Sequence, residues 1–484
     1  MTTQTLDYAE LFVDGGWIRP AGTERITVTN PADGTAVGSA PLAGPTDVDH
    51  AVAAARRAFD DPDGWSSWTA EARAEALDRL ADCLEKRADE MAVRVSRQNG
   101  VPLSTTMGAE GQFPVLVLRY YAELIRDLPV EVEQPARLGG TTVVRHDPIG
   151  VVAAIAPWNA PQALTSFKYA PALAAGCCVV IKPSPETVLD AALFAEAVAE
   201  AGLPPGVVNV LPGGRETGAY LVEHHGIDKV AFTGSTAAGR AVAQTCGRLL
   251  RPLTLELGGK SAAVFLDDVD LTAPGLAERL FAATLVNAGQ VCYLGTRILA
   301  PRSRLDEIVE FVADMARTLI LGDPLDPATQ MGPLVSAAQR DRVESVIAHG
   351  VAEGGRIVAG GARPTGLAHG AYLQPTVFTG LPASSPVVRE EIFGPVLTVL
   401  PHEGDDDAVR LANDSEYGLG GSVWTADAER GLQVARRVRT GTFGVNRYQV
   451  DPAAPFGGVK ASGLGRELGP DGLRSYQSVK AIYR

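Results

Sequence analysis

The chain has 484 residues, 46% of them apolar, with 52 Gly and 33 Pro spread along its length and a formal net charge of −14. That length exceeds the roughly 250–300 residues at which one hydrophobic core stops growing, and the composition excludes a disordered or low-complexity chain, so two or three folded domains are expected. With 57 acidic against 43 basic side chains and no basic stripe, binding to a nucleic-acid backbone is excluded as a main activity.

The opening "MTTQTLDYAE" carries neither the basic nor the apolar region of a secretory signal. A strand and turn are predicted around 11–18. One helical region is predicted from an N-cap at Thr69, with Glu71 in its first turn, to Gly100, on the spacing of Leu77, Leu80, Leu84, Met91 and Val95. From 141 onward, short apolar runs at 150–158, 177–184, 206–213 and 228–235 read as strands buried on both faces. Helical patterns at 160–176, 187–202 and 215–226 separate them. This alternation predicts a parallel, doubly wound sheet, with ligands bound beyond the carboxyl ends of its strands. The run 150–183 is interrupted by Pro157, Pro161, Lys168 and Pro171 and so does not read as a membrane span.

A second α/β series is expected after 253–260, with a helix around 304–320 and strands near 355–361 and 395–400. The tail 472–484 ends in a strand-like segment with no obvious partner nearby, suited to completing a sheet elsewhere, for instance on another subunit.

Five cysteines (Cys83, Cys177, Cys178, Cys246 and Cys292) form an odd set without CxxC spacing, and the seven histidines show no i, i+4 pairing. Neither a disulfide framework nor a metal site is indicated, and the chain reads as a soluble cytoplasmic protein.

Side chains able to do chemistry fall at predicted strand ends. "FTGSTAAG" places Gly234, Ser235 and Gly239 where a strand turns into a helix, a geometry that holds phosphates or is merely a tight turn. "IKPSPE" puts Lys182 at the end of a buried strand, facing either a crevice or solvent. "APWNAP" offers the amide of Asn159, for a turn or for a developing oxyanion. "LELGGK" carries Glu256 between leucines, at a domain rim or with the raised pKa that a general base requires. "REEIFGPV" adds Glu391 and Phe393, and "PFGGVKASGLGRELG" adds Phe456 and Glu467. Taken alone, Cys292 in "NAGQVCYLGTR" is a buried small residue or a nucleophile.

Together these stretches resemble the aldehyde dehydrogenase superfamily. The likeness runs over nearly the whole chain, from "NPADG" (30–34) through "GLPPGVVNVLPG" (202–213) to "FGGVKASGLGRE" (456–467), with "LELGGK", "GQVC" and "EEIFGP" in the family's order. The resemblance implies an α/β chain with a doubly wound Rossmann-like dinucleotide-binding domain (1–124 and 148–258) and an α/β catalytic domain (259–461). A small bridging sheet (125–147 and 462–484) would join subunits of a homodimer or homotetramer. Cys292 would attack the aldehyde, giving a thiohemiacetal and then a thioester, and Glu256 would activate the water that hydrolyses it. Asn159 and the backbone N–H of Cys292 would form the oxyanion site, with Glu467 in a proton relay. Lys182, Ser184, Gly234, Ser235, Gly239 and Leu257 would hold NAD, and Glu391, Phe393 and Trp158 its nicotinamide end. The presence of Glu256 favours hydrolysis over acyl transfer to coenzyme A.

The sequence departs from the family pattern at two places. Pro185 stands where NAD-preferring relatives carry a ribose-binding Glu, with Glu186 one place later, so NADP stays open beside NAD, and Ser184 and Arg215 would favour it. Ala160 replaces a Phe common after the oxyanion Asn. With Tyr293 and Phe456 lining the tunnel, bulky apolar or aromatic aldehydes are expected as substrates. Arg447 is either an ordinary surface residue or a recruiter of carboxylate-bearing semialdehydes. A thioester-forming esterase or acyltransferase, and a silent scaffold, are the remaining alternatives.

Overall fold

The computed structural model describes residues 5–367 and 369–484. Two large sheets divide the chain. The first has eight strands in the spatial order Gly463–Leu464, Leu253–Glu256, Lys229–Thr233, Val151–Ile155, Cys178–Lys182, Val208–Val210, Leu11–Val13, Gly16–Ile18. The five central strands are parallel. Their chain order runs outward from Val151–Ile155 to Val208–Val210 and then jumps to the other side at Lys229–Thr233, which puts a topological switch point between Val151–Ile155 and Lys229–Thr233.

These strands are apolar throughout because helices cover both faces. The helices Pro45–Asp60 and Arg215–Glu223 lie on one face. On the other, every residue of the Pro161–Ala175 helix is buried under a second layer formed by Ala70–Glu85 and Phe113–Asp127. A helix buried all round has no need of an amphipathic stripe, and Lys168 is the one charge it carries.

The predicted helix 69–100 is two helices. Thr69 caps the first through the N–H of Ala72, and Gly100 closes the second at φ +81°. The break falls at Lys86 and Arg87, whose side chains turn together onto Glu200, while the Arg87 guanidinium also donates to the Cys83 carbonyl. That carbonyl is drawn away from a continuing helix, so the apolar spacing persists across a bend.

The second sheet has seven strands, ordered Arg356–Ala359, Thr376–Thr379, Val396–His402, Arg297–Pro301, Ala262–Phe265, Gly421–Trp424, Gly444–Val445, parallel except at the Arg356–Ala359 edge. The tail strand Gln477–Tyr483 finds its partner in the same chain, pairing antiparallel with Thr141–Pro148 from Gln477↔Pro148 to Tyr483↔Thr142, and Glu131–Pro135 completes this small sheet. Val132, Val479, Ile482 and Tyr483 leave apolar surface exposed on it. Just before the tail, Gly463–Leu464 pairs with Leu253–Glu256, bringing the C-terminal loop against Glu256.

Gly150 admits the chain to the Val151–Ile155 strand at φ +135°, and a Cβ there would lie 1.9 Å from the Asp228 Oδ2 that accepts the Val151 N–H. Gly150→Ala therefore loses about 2 kcal/mol or more from backbone strain and displacement of that carboxylate. A urea midpoint equal to wild type would contradict this.

Candidate active site

The carboxyl ends of the central strands converge on a cavity of about 270 Å³. The first sheet contributes Trp158, Asn159, Gly234, Ser235, Glu256 and Leu257, and Cys292, Glu391 and Phe393 face them from the second half of the chain. Thr233, Gln339 and Arg342, which the sequence did not single out, line it as well. Glu256 and Thr233 are register partners on adjacent strands, so the acid stands directly beside the switch point.

Cys292 is held by an unusual turn. Asn287, Ala288 and Gly289 all have positive φ, and a Cβ on Gly289 would lie 2.1 Å from the Gly394 carbonyl oxygen. Two left-handed non-glycine residues in succession are strained, and here they are clamped by side-chain amides. Asn287 Nδ2 donates to the Asn159 carbonyl at 3.0 Å, Asn159 Nδ2 to the Gln290 carbonyl at 3.0 Å, and Gln290 Nε2 to the Asn287 carbonyl at 3.2 Å. One N–H of the Asn159 amide is thus used in anchoring, and the other remains free to donate. Gly259 makes room on the opposite side, where a Cβ would lie 2.3 Å from the Cys292 carbonyl oxygen.

Burial, and then the charges of Glu391 and Glu256, push the Cys292 thiol well above its ordinary pKa. Glu256 is buried, and neither of its carboxylate oxygens has a hydrogen-bond partner among the described residues. Burial raises its pKa well above the usual carboxylate range, the neighbouring Glu467 raises it further, and Lys168 and Arg466 oppose the shift. Gly457 leaves space for this carboxylate, since a Cβ there would lie 2.5 Å from Oε1.

Behind Glu256 lies a buried ion pair. Lys168 Nζ donates to Glu467 Oε1 at 2.8 Å and to Thr233 Oγ1 at 2.5 Å. The second Glu467 oxygen has no partner among the described residues. Glu467 does not line the cavity itself; it reaches the site through Glu256. The signal for Lys168 in the sequence was a lone charge inside a fully apolar helix.

The cofactor-type positions form a second cluster. Glu391 accepts the Gly259 N–H at 3.1 Å and lies against Gly258, where a Cβ would come within 2.3 Å of Oε2; burial pushes its pKa up to about 7. Its loop is held from the helix Ala337–Ala352 by Arg342, which donates to the Glu391 and Ile392 carbonyls, and by Gln339, which donates to the Phe393 carbonyl. The Phe393 ring stands edge-on to Trp158 at 5.2 Å. Ser235 caps the helix Thr236–Arg248, and Gly239 lets that helix pack on Leu257, 2.3 Å from where a Cβ would stand.

Lys182 and Ser184 lie one strand further along, outside the cavity lining. Lys182 Nζ donates to the Pro183 and Gly213 carbonyls at 2.9 and 2.7 Å, and burial lowers its pKa to about 8. The Ser184 hydroxyl donates to Glu186 at 2.5 Å.

The substrate-type positions follow a line of rings. Tyr293, next to Cys292, stacks on Tyr448 at 4.3 Å and meets Phe456 at 6.5 Å. The line continues from Phe456 through Phe167 at 5.9 Å to Phe113 at 5.8 Å. Ala160, Phe113, Tyr293 and Val450 are half-buried apolar groups on the same core. Arg447 is exposed, with no carboxylate at ion-pair distance among the described residues.

Comparison with known proteins agrees with this geometry. The model of the "Aldehyde dehydrogenase family" matches residues 17–482. The geranial dehydrogenase of Castellaniella defragrans is 52% identical over 99% of both chains, and the 3-succinoylsemialdehyde-pyridine dehydrogenase of a Pseudomonas species is 40% identical over 98% of both. A Mycobacterium tuberculosis aldehyde dehydrogenase solved with NAD+ superposes with a TM-score of 0.96 at 44% identity, covering 99% of each chain. A Pseudomonas syringae aldehyde dehydrogenase variant solved with NAD+ and octanal superposes at 0.94 with 39% identity, covering 98% of this chain and 96% of the other. The chain belongs to the aldehyde dehydrogenase family.

Proposed function

We propose that this protein oxidises a bulky apolar or aromatic aldehyde to its carboxylic acid with NAD+, using Cys292 as nucleophile and Glu256 as general base. The observation that carries the proposal is the shared cavity. It brings a thiol, an unpartnered buried carboxylate and a side-chain amide with a spare N–H together at the switch point of a doubly wound sheet.

A dinucleotide fits the residues on one side of that cavity. Gly234, Gly239 and Gly258 keep the surface free of side chains next to a helix N-terminus capped by Ser235, a setting suited to phosphates. Lys182 has a third N–H beyond the two it spends on carbonyls, and Glu391 offers a carboxylate to ribose hydroxyls. Glu186, tethered by Ser184, is a carboxylate near the same strand end, which supports NAD over NADP because it would repel a 2′-phosphate. When bound, the nicotinamide supplies the acceptor for the aldehyde hydrogen.

The chain's own residues do the rest. Cys292 Sγ bonds to the aldehyde carbon as its proton passes to Glu256, whose raised pKa makes it a stronger base than a surface carboxylate. The charge that develops on the aldehyde oxygen is met by the free N–H of Asn159 and by the Cys292 backbone N–H, an arrangement of the kind worth about 3–4 kcal/mol per donor. Glu256 gives up the cysteine's proton to solvent before hydrolysis; after oxidation it removes a proton from the water that attacks the thioester, the C–S bond breaks, and that second proton returns to the thiolate. Glu467, paired to Lys168 behind Glu256, acts on that proton through its charge, which raises the Glu256 pKa.

The line of aromatic rings beside Cys292, and the small Ala160, support the choice of substrate. The geranial dehydrogenase and the octanal-bound relative act on or bind apolar aldehydes by name. The exposed apolar surface of the small sheet suits contact with another subunit in a homodimer or homotetramer, with domains divided as the family resemblance implies. A second reading rests on Arg447, whose unpaired guanidinium would recruit a carboxylate-bearing aldehyde, as the name of the 3-succinoylsemialdehyde-pyridine dehydrogenase relative invites.

Only ionised Glu256 accepts a proton, so kcat falls as pH drops through its raised pKa, on a limb above the ~4.3 of an ordinary glutamate. Glu256→Gln lowers kcat by about a hundredfold or more and removes that limb; an unchanged kcat would exclude the base assignment. In a panel of aldehydes, kcat/KM for octanal and benzaldehyde exceeds that for acetaldehyde, and the reverse order would refute the apolar tunnel. Arg447→Ala raises KM for succinic semialdehyde about tenfold if the second reading holds, and leaves it unchanged if it does not.

A further inference from the structure

The helix Pro161–Ala175 begins two residues after Asn159, and its first turn lacks a cap of its own. Ala160, at the N-cap, has no side-chain acceptor. Pro161 has no N–H, and the Leu164 N–H bonds to the Ala160 carbonyl at 2.9 Å, which leaves the N–H groups of Gln162 and Ala163 without an intrahelical partner. Both are taken by one oxygen from another element. Glu110 Oε2 accepts from Gln162 N at 2.8 Å and from Ala163 N at 3.3 Å.

Glu110 is 3% exposed and sits in a π-helical segment, Met107–Gln112, that turns it inward just before the helix Phe113–Asp127. Such turns are uncommon and recur at functional sites. The start of the helix is held from a second direction: the Gln162 side chain donates to Asp190 at 2.5 Å, and Asp190 accepts from Gln98 at 2.8 Å. Burial and the Asp190 charge push the Glu110 pKa up to about 8, against the two backbone N–H groups that favour its ionised form. Glu110 has no role in the chemistry described above.

We propose that Glu110 is a positioning residue for the oxyanion donor: by capping the Pro161–Ala175 helix from outside, it fixes the start of that helix and with it the direction of the Asn159 amide. The inference rests on the oxyanion role given to Asn159. The anchors of Asn159 itself, the Asn287 side chain and the Gln290 carbonyl, both belong to the Cys292 turn. Glu110 and Asp190 hold the other side, so the amide is gripped between the nucleophile turn and the helix start. Release of the Glu110 contact lets the helix start shift relative to Cys292, while the Glu391 and Phe393 loop stays held by Arg342 and Gln339.

The test is a double-mutant cycle on the full-length protein with octanal and NAD+, each variant normalised to its titre of iodoacetamide-reactive thiol. Glu110→Ala is expected to lower kcat roughly tenfold to a hundredfold with KM for octanal within about threefold, as misplacement of a catalytic group does. Glu110→Gln, whose amide oxygen accepts the same two N–H groups, is expected to stay within about threefold of wild type. Asn159→Ala lowers kcat about a hundredfold or more, and the double variant is no slower than Asn159→Ala alone, because one residue acts through the other. A Glu110→Ala effect that multiplies with the Asn159→Ala effect, or an unchanged kcat in Glu110→Ala, overturns the inference while leaving Asn159 its role. An unchanged kcat in Asn159→Ala overturns both. If Glu110→Ala does not fold, Glu110→Asp replaces it: with a carboxylate one methylene short, it is expected to lose kcat about tenfold at unchanged KM, and wild-type kcat in that variant overturns the inference.

Discussion

The amide hydrogen bonds between Asn159 and the Asn287–Gln290 turn join the two halves of the active site. One runs from Asn287 to the Asn159 carbonyl and the other from Asn159 to the Gln290 carbonyl, across more than a hundred residues of chain. Everything chemical in the site depends on this clasp, because Asn159 follows a strand of the first sheet while Cys292 precedes a strand of the second. The clasp also accounts for the strained backbone at Asn287 and Ala288, a conformation that would relax without partners for those amides. Glycine supplies the remaining clearance, at Gly259 against the Cys292 carbonyl and at Gly289 against Gly394.

The electrostatics follow from placing charges where water does not reach. Glu256, Glu467 and Lys168 are all buried, with Lys168 paired to Glu467 and acting on Glu256 through its charge alone. A buried carboxylate beside a like charge holds its proton more tightly, which raises the Glu256 pKa above the usual carboxylate range. The same environment raises the pKa of the Cys292 thiol.

Much of this arrangement is legible in the sequence because local chemistry and strand ends coincide. Apolar runs ending in Ile155, Thr233 and Glu256 announce a parallel sheet, and residues at and just past those ends line the cavity. What escapes sequence reading is fixed by distant partners. Lys168 looks like a stray charge until Glu467, 299 residues away, is seen beside it. Gln339 and Arg342 sit on a surface helix and reach the cavity by holding the Glu391–Phe393 backbone. The bend at Lys86 and Arg87 depends on Glu200 across the helix layer, and the tail strand waits for Thr141–Pro148. Periodicity reports which face of an element is buried; it is silent on which far segment buries it.

The central claim is that the acid carried by Glu256 releases a thioester formed on Cys292. Its most direct test is the mass of the wild-type protein acid-quenched within its first turnover of octanal with NAD+. An octanoyl adduct on the Cys292 peptide, absent from Cys292→Ala, is the result this account predicts. Sustained turnover without an adduct, or an adduct on any other residue, would contradict it.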